Sequence, residues 1–84
     1  MQLEELTNLI QQIIPCTYIE VDGDGYHFFV KIVSQKFESL SRLQRHRLIK
    51  DSLKEQIASN ELHALSIIVA ATPEEWELKS MQLK

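Results

Sequence analysis

One stretch, Phe37 to Trp76, decides most of what this chain can fold into: FESLSRLQRHRLIKDSLKEQIASNELHALSIIVAATPEEW. It reads as a turn, one long amphipathic helix, a buried strand and a second capped helix. Ser41-Arg42-Leu43-Gln44 is a capping box, in which the Ser hydroxyl accepts from an orphan N–H and the Gln side chain reaches back. Leu43, His46, Ile49, Leu53 and Ile57 recur at three- and four-residue spacing, which predicts a single buried face. Arg47, Lys50 and Lys54 run along its flank. After Ser59-Asn60, the run from His63 to Val69 has strand length and is rich in β-branched residues. Thr72-Pro73-Glu74-Glu75 is a second cap, with Pro at the first helical position.

The rest of the chain must pack against this unit. Leu3, Leu6, Leu9, Ile10 and Ile13 mark one face of a helix over Gln2 to Ile14, which Pro15 ends. Thr17 to Val21 is a strand, with Ile19 and Val21 on one side and Tyr18 and Glu20 on the other. Asp22-Gly23-Asp24-Gly25 holds both glycines of the chain, as a tight hairpin needing positive φ requires. Tyr26 to Val33 returns, with Phe28, Val30 and Ile32 on one face and His27, Phe29 and Lys31 on the other. Phe37 is the expected buried anchor of the turn into the long helix. The order is α-β-β-α-β-α, and the economical layout is an α+β fold. It has a three-stranded sheet covered by helices on one face, with Leu65–Val69 joining the hairpin at an edge.

At 84 residues, with 44% hydrophobic and 25% charged content, one small globular domain spanning 1–84 is expected. So small a chain buries a modest fraction of its surface, and a deep enclosed active site is not expected. Cys16 is the lone cysteine, which excludes an intrachain disulfide and fits a reducing, cytoplasmic compartment. Met1 leads into an acidic amphipathic segment rather than a basic signal region, and no apolar run has the ~20 residues of a membrane span. A net charge of −3 argues against a general nucleic-acid binder. Nucleophile elbow, phosphate-binding glycine loop and zinc-finger spacing are all missing, so an enzyme is not expected.

Several motifs, in order, resemble the BolA family: Val21-x-Gly23-Asp24-Gly25-x-His27-Phe28, Phe37-Glu38-x-x-Ser41, Arg45-His46-Arg47, His63-Ala64-Leu65-Ser66 and Thr72-Pro73-x-Glu75-Trp76. The compact GDG-x-HF hairpin is similar to the short-loop bacterial branch. The resemblance implies a fold like the class II KH domain. It also implies partnership with a CGFS-type monothiol glutaredoxin in iron–sulfur cluster assembly, trafficking or iron homeostasis. In such a complex a [2Fe-2S] cluster is shared with the glutaredoxin and glutathione. DNA binding in transcriptional control is the family's second attributed activity. Ser39 departs from the family's usual Gly in the Phe-x turn, where a positive φ would strain Ser by about 1 kcal/mol.

His63 opens a strand after a polar loop, and the resemblance makes it the cluster ligand. His27, at the end of the turn, is the first candidate for a second contact. Cys16 ranks last: thiolate suits iron better than imidazole does, but a small Cys at a helix–strand junction is more often packing. His46, on the apolar stripe, is read as architectural, half-buried and hydrogen-bonded. Asp22 and Asp24 are turn formers, short of a calcium loop. The competing reading is a DNA-binding regulator using Arg42, Arg45, Arg47, Lys50 and Lys54, with affinity that is weak and fades with salt. The chain lacks the G-x-x-G loop that clamps nucleic acid in KH domains, which favours the adaptor. Alone, it is expected to be a monomer or a homodimer.

Overall fold

In a computed structural model, which describes residues 1–59 and 64–82, α1 (Leu3–Ile13) leads into a hairpin of β1 (Tyr18–Gly23) and β2 (His27–Val33). A short 3-10 turn at Gln35–Phe37 precedes α2 (Arg42–Ser52) and α3 (Lys54–Ala58), then β3 (Ala64–Ala71) and α4 (Pro73–Gln82). The sheet order is β1-β2-β3, antiparallel between β1 and β2 and parallel between β2 and β3. A parallel pair needs a crossover, and α2 with α3 supplies it. The α+β fold and the edge position of the third strand are as expected.

The hairpin turn follows from its residues. Asp24 Oδ1 accepts from the N–H groups of Tyr26 and His27 at 2.9 and 2.8 Å, closing the loop on itself. Gly23 and Gly25 both hold positive φ. A Cβ at Gly23 would stand 2.2 Å from the His27 carbonyl oxygen, so only glycine fits there.

Phe28, Val30 and Ile32 alternate inward from the central strand and are fully buried with Leu6, Ile10, Phe37 and Ile49. Ile19, Val21, Leu65 and Ile67 pack at the margin of this core. In β3 the register slips between Val30 and Lys31, so Ile68 is the extra residue of a bulge and is 52% exposed. The two caps form as expected. Ser41 Oγ accepts from Gln44 N at 3.2 Å, and Gln44 Oε1 accepts from Ser41 N at 2.8 Å. Thr72 and Glu75 repeat the arrangement.

Four expectations are corrected. The long helix is broken at Leu53, whose φ of −107° and ψ of 12° leave the helical region. No Gly or Pro stands there. The break accompanies the burial of the Leu53 side chain to 1% exposure, a gain of about 1.5–3 kcal/mol. The buried face is also narrower at its ends: Ile49 and Leu53 are buried as expected, but Leu43 is 61% exposed and Ile57 38% exposed, while Leu48 packs against the core. Leu43 lies in the first helical turn, ahead of the point where the helix meets the sheet. In α1 the last core residue is Ile14 rather than Ile13, because the extended backbone before Pro15 turns Ile14 inward. His46 is half-buried, as expected, but makes no hydrogen bond among the described residues.

Candidate functional site

The face of the sheet away from α1 and α2 carries the candidate site. Tyr18, Glu20, His27, Phe29 and Lys31 project from it because they alternate with the core positions. Glu20 and Lys31 are cross-strand partners joined at 3.2 Å, and Tyr18 Oη donates to Glu20 at 2.8 Å. That hydroxyl and Lys31 hold the Glu20 carboxyl below its ordinary range, while the Tyr18 phenol is pushed up. At the end near α4, Tyr18 stacks on Trp76 with ring centroids 5.1 Å apart.

His27 occupies the opposite end, where β2 begins. Its ring lies parallel to that of Phe29, 4.7 Å away and 7° from coplanar. Its Nε2 is 3.1 Å from Ser66 Oγ of β3. Ring and neighbour together fix an exposed imidazole. If Nε2–H donates to Ser66, the Nδ1 lone pair is the one left to bind a ligand. The ladder partner of His27 is Ala64, whose N–H donates to the Tyr26 carbonyl at 3.2 Å. His63 precedes Ala64 in sequence and itself lies outside the described residues.

Cys16 is elsewhere. Its neighbour Thr17 is bonded to Val33 at the far end of β2, so the length of that strand, about 20 Å, separates it from His27. Cys16 Sγ donates to the Ile14 carbonyl at 2.9 Å, and burial pushes the thiol up, away from the thiolate that binds metal. Cys16 and His27 cannot share one small cluster. Asp22 and Asp24 act as turn formers, each accepting from backbone N–H groups of the hairpin. Among the described residues no three His, Cys, Asp or Glu side chains gather to hold a metal ion.

The basic residues divide. Arg45 is consumed by the fold: Nε donates to the Leu40 carbonyl and Nη1 to the Ala70 carbonyl, each at 3.0 Å. Nη1 also pairs with Glu75 at 2.6 Å, and the guanidinium stands 6.0 Å over the Phe37 ring. One side chain thus ties α2 to β3 and α4. That pairing, with the Thr72 N–H, holds the Glu75 carboxyl down at about 2. Sequence reasoning had no pattern with which to join Arg45 to a carboxylate 30 residues away. Arg42, Arg47, Lys50 and Lys54 are exposed and make no ion pair among the described residues. Burial, followed by the charges of Arg42 and Lys50, holds His46 below its ordinary range.

Comparison with known proteins bears on the family and the fold. The family model described as BolA-like protein matches residues 12–75. A BolA-like protein of Dictyostelium discoideum is 42% identical over 83 residues, covering 96% of this chain and 71% of its own. Among solved structures, the BolA domain of SufE1 from Arabidopsis thaliana superposes with a TM-score of 0.77 at 34% identity, over 87% of this chain and 93% of that one. Yeast Fra2 superposes at 0.72 and 32% identity, covering 90% and 84%. The hairpin, the two capping boxes and the match over most of the length lead to one conclusion: the chain belongs to the BolA-like family.

Proposed function

We propose that this chain is an adaptor that partners a monothiol glutaredoxin and contributes histidine to a shared [2Fe-2S] cluster. His63 is the main ligand and His27 a second contact. The observation that carries the reading is the fixed, exposed imidazole of His27, next in the sheet to the residue that follows His63. An imidazole nitrogen is a good ligand for iron that already holds thiolate ligands. The bound cluster would supply redox-active, transferable iron and sulfide. This chain's own part is to hold the imidazoles and exclude competing donors. Phe29 and Ser66 orient one ring, and the nearest thiol is a strand's length away. A BolA domain within SufE1 supports a setting in which this fold works beside other components.

The test is to mix the chain with a monothiol glutaredoxin, glutathione, iron and sulfide under anaerobic conditions. A visible circular dichroism spectrum distinct from that of the glutaredoxin cluster alone is expected. An unchanged glutaredoxin spectrum, with the chain eluting separately, overturns the reading.

Direct action on DNA is the weaker alternative. Arg45, the centre of the basic motif, is spent inside the fold, which leaves Arg42, Arg47, Lys50 and Lys54 of that helix region for phosphates.

A further inference from the structure

A groove of about 540 Å³ runs between the start of α2, the second half of β3 and α4. Ile68 and the three residues after it form one wall, Leu40, Arg42 and His46 another, and Lys79 stands across from them on α4. Glu75, the one carboxylate lining it among the described residues, is paired with Arg45. Arg42 and Lys79 therefore leave the groove positive on a chain whose net charge is −3.

The positive wall continues past the groove. Arg42 and His46 line it, and Lys50 follows at the same four-residue spacing on α2, so the three side chains form a row with a repeat of about 6 Å. Burial first, and then the charges of Arg42 and Lys50, hold His46 below its ordinary range, so both cations stand near its ring. Lys54 lies beyond the break at Leu53 and leaves the row. An extended polypeptide presents every second side chain on one face at a repeat of about 6.6 Å, close to that of the row. Ile68, half exposed at the bulge, offers an apolar contact between the charged walls.

We infer that this groove, with the row that continues from it to Lys50, binds an acidic extended segment of a partner protein, its carboxylates on alternate residues facing Arg42, His46 and Lys50 and an apolar side chain against Ile68. A protein segment is favoured over nucleic acid by charge outside the groove. Glu74 and Glu77 are exposed on the same α4, and with the net negative charge they repel a long polyanion while leaving a short acidic stretch unopposed. The inference is independent of the cluster reading, because the groove borders the second half of β3 whereas His27 pairs with Ala64 at the start of that strand.

The test uses the 15N-labelled full chain titrated with a synthetic peptide of alternating Glu and Val, and separately with an oligothymidylate of equal charge. Saturable amide shifts are expected at Arg42, His46, Ile68 and Lys79. Binding should weaken about tenfold or more, some 1.4 kcal/mol, in the double variant Arg42→Glu, Lys79→Glu. Circular dichroism of that variant checks that the fold is retained, and the single Lys79→Glu variant serves if it is not. The proposal is overturned by no saturable peptide binding, by shifts confined to the open sheet face, by indifference to charge reversal, or by tighter binding of the oligonucleotide.

Discussion

Replacing Ser39 with glycine should make this protein more stable. Phe37 to Leu40 form a turn closed by Leu40 N–H donating to the Phe37 carbonyl at 3.1 Å. Glu38 has φ −59° and ψ 136°, and Ser39 has φ 67°. These angles approach a type II turn, whose third position favours glycine. An L-residue there costs about 1–2 kcal/mol, and glycine's greater freedom in the unfolded chain returns about 0.5–1 of that. The Ser39 side chain is exposed and makes no hydrogen bond among the described residues, so its removal costs no contact. The net gain is about 0.5–1 kcal/mol. In urea, with a slope of about 1 kcal/mol/M for a chain of this size, the midpoint should rise by about 0.5–1 M. The melting temperature should rise by roughly 2–8 °C. Ser39→Ala keeps the Cβ and should give no such rise. An unchanged or lowered midpoint for Ser39→Gly refutes the strain argument.

Other outcomes follow from the same structure. Leu53→Ala should lower stability by about 2–5 kcal/mol, whereas Leu43→Ala, at an exposed site, should change it by less than about 0.5, both read by denaturant midpoint. The Glu75 carboxyl is held at about 2 in the fold against an ordinary value near 4.5. Its contribution is therefore complete above about pH 4.5 and is lost as pH falls toward 2, and Glu75→Gln should flatten stability across that window. The effect is modest because Glu75 is half exposed. DNA binding, measured by anisotropy, should be weak at physiological salt and fade steeply as salt rises; nanomolar sequence-selective binding would favour the regulator reading.

Elements closed by local chemistry were legible in the sequence. The Ser41 and Thr72 boxes, the glycine hairpin and the Pro15 stop each depend on residues within a few positions of one another. So does the alternation that buries Phe28, Val30 and Ile32. What was not legible depends on where distant elements meet. The phase of α2 against the sheet exposes Leu43 and turns Leu48 toward the core, and periodicity alone cannot choose between neighbouring faces of one helix. The Arg45–Glu75 tie joins residues whose separation carries no spacing rule. The candidate site was half legible. His27 on the open face follows from strand alternation, but its stacking on Phe29 and its contact with Ser66 need the parallel register of β3. Cys16 drops out only once the strand's length stands between it and His27.

The central claim is that histidine of this chain ligates the shared cluster. The most direct measurement is pulsed EPR on the reduced complex, with 15N-histidine in this chain alone and an unlabelled glutaredoxin. A strong 15N coupling is predicted in the unaltered chain. It should be lost in His63→Ala and at most slightly changed in His27→Ala. A complex that forms its cluster without any 15N coupling from this chain, or that keeps the coupling unchanged in His63→Ala, contradicts the account.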